Sequence, residues 1–256
     1  MNELEIYITK KEEENFNKFL DKYLSSSVFK LNDEYYFKQK YKAKVNKCSI
    51  SYNKIDFSDT NDFELLHQLI TETVINTFEL LQNNWSEEVE DFKYINADDT
   101  HIYYLLRHCE YGINDIFDFF SKLFISLLEC HKLINGNKRF AYFFLINLVR
   151  FCGFYFKLST SKKINIYKLK NERVVYCFVY KLQNRNYEDV INDYKNLNNS
   201  ITDLTNADYL KKCIEEIRLK YENLPVKERQ ERTKTEIRNW IKKNIVISNN
   251  TEIITK

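Results

Sequence analysis

The chain has 256 residues, with 39 Lys+Arg against 37 Asp+Glu and a formal net charge of +2. That length admits one ordinary domain with an extension or two small ones, and the near-balance of charge argues against a dedicated nucleic-acid binder. Composition is 44% hydrophobic with 19 Phe and 19 Tyr, yet only 3 Gly and 1 Pro, which excludes global disorder and a turn-rich all-β fold and points to a mainly α one.

Residues 10–26 place Phe16, Phe19, Leu20, Tyr23 and Leu24 at helical spacing. From Phe37 to Val45 the period becomes two: Phe37, Tyr41, Ala43 and Val45 share one face, and Lys38, Lys40, Lys42 and Lys44 the other. This predicts a half-buried strand, with segments 27–31 and 48–57 as partners in a small N-terminal sheet. The lysine row is the usual protection of an exposed strand rather than a nucleic-acid footprint.

From residue 60 the helical period returns. Asn61 and Glu64 have capping-box spacing, and Phe63, Leu66, Leu69, Ile70, Val74 and Phe78 follow as an apolar stripe. A shorter helix starts near Thr100. The next runs from about Asn114 to Cys130, with Asp115, Asp118, Lys122, Ser126 and Glu129 in a narrow polar stripe and Ile, Phe and Leu elsewhere, so it is expected to be buried on most sides. After a polar break comes KRFAYFFLINLVRFC, apolar almost all round and stopped by Gly153 at C′. Further helices are expected at 171–183 and near 187–197. Residues 206–243 read as a last helical section, a hairpin broken at Pro225, whose 11 basic and 7 acidic residues are interleaved as on a solvated face.

Cys48, Cys109, Cys130, Cys152, Cys177 and Cys213 show no C-x-x-C and no paired metal spacing, and are read as reduced, mostly buried thiols. The N-terminus has no apolar run behind a basic start, and no stretch approaches the ~20 apolar residues that span a bilayer. The expectation is a soluble cytoplasmic protein that does not engage a membrane.

One cluster carries chemistry: His131-Lys132-Leu133-Ile134-Asn135-Gly136-Asn137-Lys138-Arg139, a polar run between the two most apolar helices. A helix starting near Lys138 leaves its first N–H groups without intrahelical partners, and its dipole favours negative charge there. Gly136 allows a conformation closed to other residues and a close backbone approach to a ligand. Asn137 can cap the helix or reach a ligand oxygen. Lys138 and Arg139 put two cations where the helix itself disfavours them. Together these parts describe a phosphate cradle, with His131 the nearby group able to take a proton at neutral pH. Loop-and-cap chemistry with a structural histidine is the competing reading of the same residues.

His131 to Arg139 resembles the signature of the Fic/Doc family, H-x-F-x-[D/E]-[G/A]-N-[G/K]-R, matching it at His131, Gly136, Asn137 and Arg139. Lys138-Arg139-Phe140-Ala141 is similar to the N-K-R-T-A form of the death-on-curing (Doc) branch, and Tyr142 stands where the Fic branch has a second arginine. Gly153-Phe154 is similar to the family's terminating G-Y/F. The resemblance is specific over about residues 112–156 and extends more loosely over 60–198.

The resemblance implies a mainly α, Fic/Doc-like helical bundle over 60–198; it does not cover the N-terminal α+β region with a small β-sheet (1–59) or the C-terminal helical extension (199–256), which are read from residue spacing. It implies an enzyme that uses ATP or another nucleoside triphosphate with Mg²⁺ to modify a hydroxyl of a cytosolic protein. The group is AMP in the Fic branch and phosphate in the Doc branch, whose target is a translation factor; a toxin held by an antitoxin or inhibitor partner fits the same picture. By position, His131 is the general base. Gly136 and its neighbours donate N–H groups to the phosphates, Asn137 holds the anion hole, and Arg139 with Lys138 neutralises transition-state charge. Leu133 replaces an aromatic core residue. Asn135 replaces the acid that ligates Mg²⁺, leaving one neutral oxygen in its place. Thr60 to Leu65 approaches the family's inhibitory pattern [S/T]-x-x-x-E-[G/N] but lacks its last residue, so no inhibitory helix is assigned. The alternative is a catalytically impaired relative that binds a nucleotide or a protein; a third reading is a nucleic-acid-associated module using the lysine strand and C-terminal helices.

Overall fold

The computed structural model describes residues 2–38, 45–57, 62–85, 92–96, 100–109, 112–156, 175, 177–182 and 215–248. It is mainly helical with a small N-terminal sheet.

The first element is strand β1 (Asn2–Ile8), which is not among the expected elements. Its signal is a period of two: Leu4, Ile6 and Ile8 are buried, while Glu3 and Glu5 are exposed. Thr9 then starts α1 (Lys10–Glu13) with a capping box, its hydroxyl 2.7 Å and its N–H 3.0 Å from Glu12 Oε2. Helix α2 (Phe16–Tyr23) buries Phe19, Leu20 and Tyr23, as its spacing predicts.

Strands β2 (Val28–Leu31) and β3 (Glu34–Lys38) form a hairpin whose turn residues, Asn32 and Asp33, both have positive φ. Asn and Asp tolerate this conformation best after glycine. Strand β4 (Val45–Lys54) pairs antiparallel with β3 and parallel with β1, giving the order β1-β4-β3-β2. The continuous strand expected from Phe37 to Val45 is instead parts of two strands, β3 and β4. Lys38 and Val45 are register partners on opposite strands, so the period-2 run spans a chain reversal, and Val45 is exposed where burial was expected. Phe37 is buried; Tyr41, Ala43 and the lysines from Lys40 to Lys44 lie outside the described residues.

Helix α3 (Asp62–Trp85) buries Leu66, Leu69, Ile70 and Val74, whereas Phe63 is exposed; Asn61 lies outside the described residues. Helices α4 (His101–Cys109), α5 (Ile116–Glu129) and α6 (Asn137–Phe151) complete the central bundle. Asp115 caps α5 by accepting from the Asp118 N–H at 2.8 Å. Asn147 on α6 donates to Thr77 on α3 at 3.0 Å.

The C-terminal section contributes helical residues 177–182 and 215–221, then α7 (Val226–Asn244), whose N-cap is Pro225 as the hairpin reading implied. The expected helix near 187–197 lies outside the described residues. Helix α7 is more than a solvated face. Arg229, Thr233, Ile237 and Ile241, four residues apart, are buried, while pairs such as Arg232–Glu228 occupy its exposed side. Arg238 reaches Asp115 and Asp118, so the polar stripe of α5 faces α7. Trp240 packs its ring 5.5 Å from that of Phe156 and 5.7 Å from that of Phe178.

Strands β5 (Phe154–Phe156) and β6 (Ile245–Ile247) pair antiparallel, and Ile247 also bridges to Leu24. One hydrophobic cluster consequently runs from Ile6 and Leu20 through α3–α6 to Ile245 and Ile247. Cys48, Cys109, Cys130 and Cys152 are free and buried, as expected, but Cys177 is disulfide-bonded, which corrects the reading of all six as reduced. Among the described residues no helix is long and apolar enough to cross a membrane.

Gly153 joins sheet to bundle. It takes φ +81° at the end of α6, and the neighbouring Cys152 carbonyl accepts from the Tyr7 N–H at 3.0 Å. A β-carbon at Gly153 would sit 2.2 Å from the Glu5 carbonyl oxygen and 2.8 Å from Ile6 Cγ2. Gly153→Ala therefore combines left-handed strain with a backbone collision. It should cost at least about 2 kcal/mol in urea unfolding.

Candidate functional site

Helix α5 ends at Glu129, Cys130 turns to extended backbone, and His131 follows, exposed to solvent. Among the described residues the His131 imidazole makes no hydrogen bond. The next four residues form a short antiparallel ladder with residues 92–95. Ile95 N–H donates to Lys132 O (2.8 Å), Ile134 N–H to Lys93 O (2.8 Å) and Phe92 N–H to Asn135 O (3.2 Å), with Tyr94 opposite Leu133. Leu133 is buried and Tyr94 packs on the core, while Lys93, Ile95 and Ile134 point outward. Leu133 thus fills the packing role expected of it.

Asn137 is the first residue of α6, and Gly136 is its N-cap with φ +87° and no side chain to offer. The expected left-handed glycine is present. Its close approach is to protein, however: a β-carbon at Gly136 would fall 2.4 Å from Phe92 Cε1. Asn137, expected to cap the helix or reach a ligand oxygen, clamps the loop in this structure. Its Oδ1 accepts from Leu133 N–H at 3.0 Å and its Nδ2 donates to Leu133 O at 2.7 Å. Asn135 Oδ1 accepts from the Gly136 N–H at 2.8 Å. Lys138 and Arg139 lie half-buried in a first turn that contains no acidic residue. Burial pushes the Lys138 ammonium below its usual range.

Nine consecutive residues therefore bring together an exposed imidazole and two cations at a helix start. Mg²⁺ is a hard cation that needs anionic or multiple oxygen ligands. Asn135 offers one neutral oxygen, already engaged by Gly136, and among the described residues no group of three or more His, Cys, Asp or Glu could hold a metal ion. The residues present do not fit a Mg²⁺ held by the protein. A cleft of about 560 Å³ lies at Lys220, Tyr221, Glu231 and Arg232, and no residue of the loop lines it.

Three supporting residues were missed in the sequence. Phe92, buried, lies against Gly136 and under the Arg139 guanidinium, 5.5 Å from its ring centroid. The Tyr94 hydroxyl lies 2.9 Å from His101 Nδ1 and accepts from the His101 N–H at 3.4 Å. The His101 ring stacks on Phe140 of α6 at 4.5 Å. Burial lowers the His101 pKa to about 4, so the ring is neutral at pH 7. The alternation F-K-Y-I at 92–95 was the available signal for this strand; nothing in the sequence singled out His101.

Compared with known proteins, the chain matches no family model, no curated protein and no solved structure.

Removing the Asn137 amide strands both the N–H and the C=O of buried Leu133. Asn137→Ala should lower stability by about 2–3 kcal/mol in denaturant unfolding, and Asn137→Asp should also destabilise, since it repels the Leu133 carbonyl. His101 gives a pH signature. Its folded pKa is depressed, so the unfolded chain binds the extra proton first, and stability is lost as pH falls from about 6.5 towards about 4. Unfolding measured across that window should show the wild type losing up to about 3 kcal/mol more than His101→Gln, which keeps an acceptor for Tyr94.

Proposed function

We propose that this chain is a Fic/Doc-type transferase that moves a phosphate-containing group from a nucleoside triphosphate to a hydroxyl of a protein. The observation that carries the reading is the loop from His131 to Arg139, where an exposed imidazole precedes a helix start bearing Lys138 and Arg139, with the backbone braced by Asn137 and the 92–95 ladder. Support comes also from the pattern of the motif itself, set between the two apolar helices.

In this mechanism His131 accepts the proton of the target hydroxyl as its oxygen attacks phosphorus. The bond to the leaving pyrophosphate or nucleoside diphosphate breaks with its electron pair remaining on the leaving oxygen. Arg139, Lys138 and the first-turn amides of α6 meet the negative charge that develops.

A second reading, a nucleotide- or protein-binding relative without transfer activity, is favoured by two contacts. Asn135 turns its oxygen to the Gly136 N–H, and Phe92 covers the β-face of Gly136.

Mass spectrometry of cell proteins incubated with ATP and the chain separates the two. We expect one or a few proteins to gain phosphate or AMP on a hydroxyl, and His131→Ala to reduce that labelling by ~10²-fold or more. Because His131 is exposed, the variant should melt like the wild type. ATP binding without any labelled protein would give first place to the binding module.

A further inference from the structure

Phe92 lies outside the motif yet meets it at two points. Its ring packs so tightly on Gly136 that a β-carbon there would fall 2.4 Å from Cε1 and 2.7 Å from Cδ1, and the Arg139 guanidinium carbon lies 5.5 Å from its centroid. Phe92 also holds φ +61°, a left-handed conformation unfavourable for a bulky L-residue, while its N–H donates to Asn135 O. A strained residue of this kind persists only where its surroundings over-determine it. Here they do: the ladder fixes its backbone, and Tyr94, two residues on, is anchored to His101 in the bundle.

We propose that Phe92 is the positioning residue for Arg139, its ring holding the guanidinium towards the anion expected at the start of α6. The proposal rests on the nucleotide-transferase reading. A guanidinium carries its N–H donors in its own plane and is only weakly hydrated on its faces. An aromatic ring attracts the cation while leaving donors able to make paired hydrogen bonds to phosphate oxygens. An arginine without such a rest would lose more side-chain freedom on meeting a ligand and would bind it more weakly. The ring adds to the left-handed backbone in requiring glycine at position 136, since a side chain there would drive Phe92 away from Arg139.

The test is a double-mutant cycle on the full chain, with ATP binding measured by calorimetry for wild type, Phe92→Leu, Arg139→Ala and the double variant. Phe92→Leu should weaken ATP about threefold in the wild-type background and not at all in the Arg139→Ala background. Phe92→Tyr should bind as the wild type does. Pentafluorophenylalanine at position 92 keeps the ring's shape and reverses the charge on its face, so it should reproduce the Phe92→Leu loss even if that variant fails to fold. Equal losses in both backgrounds, or unchanged affinity with the fluorinated ring, would overturn the positioning role. A wild type that binds ATP but labels no protein defeats the transferase reading while the cycle still decides on Phe92. A wild type that binds no ATP defeats both.

Discussion

A polar loop between two largely buried helices must find protein partners for the backbone groups it buries, here those of Leu133. The loop after α5 meets that demand twice over. The Asn137 side chain closes on both polar groups of Leu133, and residues 92–95 supply a second strand for Lys132, Ile134 and Asn135. An unpaired buried amide or carbonyl costs about as much as several favourable contacts return, so the two devices hold the loop that joins α5 to α6. Everything proposed for the site depends on them, because they leave His131 outside and set Lys138 and Arg139 in the first turn of α6.

The same loop shows how one residue type answers two demands. Gly136 takes a left-handed backbone at the helix start, which a ligand cradle needs, but the space a side chain would occupy is filled by Phe92. Asn135, next in the loop, turns its side-chain oxygen to the adjacent Gly136 N–H. A carboxylate at this position would add charge beside Lys138 and Arg139; the amide instead rigidifies the turn. Anion recognition in the proposed mechanism therefore falls to cations and backbone amides.

The flanking segments belong to the same body. Asp115, buried at the start of α5, caps that helix and pairs with Lys11 from the N-terminal region and Arg238 from α7. A buried carboxylate shared in this way ties three distant stretches together, since removing either cation would leave charge in a poorly solvated place. β6 pairs with β5 directly after α6, and Gly153 lets β1 approach the end of that helix. The C-terminal helices thus shield the central pair rather than trail from it.

Local pattern made most helices legible. The 3.6-residue stripe of α3, the nearly all-apolar α5 and α6, and the glycine stop at Gly153 are consequences of neighbours in sequence and needed no tertiary knowledge. The candidate loop was legible for the same reason: its nine residues are contiguous, and cations at a helix start conflict with the helix dipole wherever the chain folds. Strand β1 was equally available in its alternation and was overlooked, and the run from Phe37 to Val45 misled because period two continues unchanged where paired strands reverse. Tertiary structure alone decided what each polar group would meet. Asn137 bonds both polar groups of Leu133, Phe92 crosses 44 positions to rest on Gly136, and burial against Phe140 lowers the His101 pKa. Sequence spacing determines which residues share a face, but partners brought from distant segments, and the water they exclude, determine which hydrogen bonds and charges survive there.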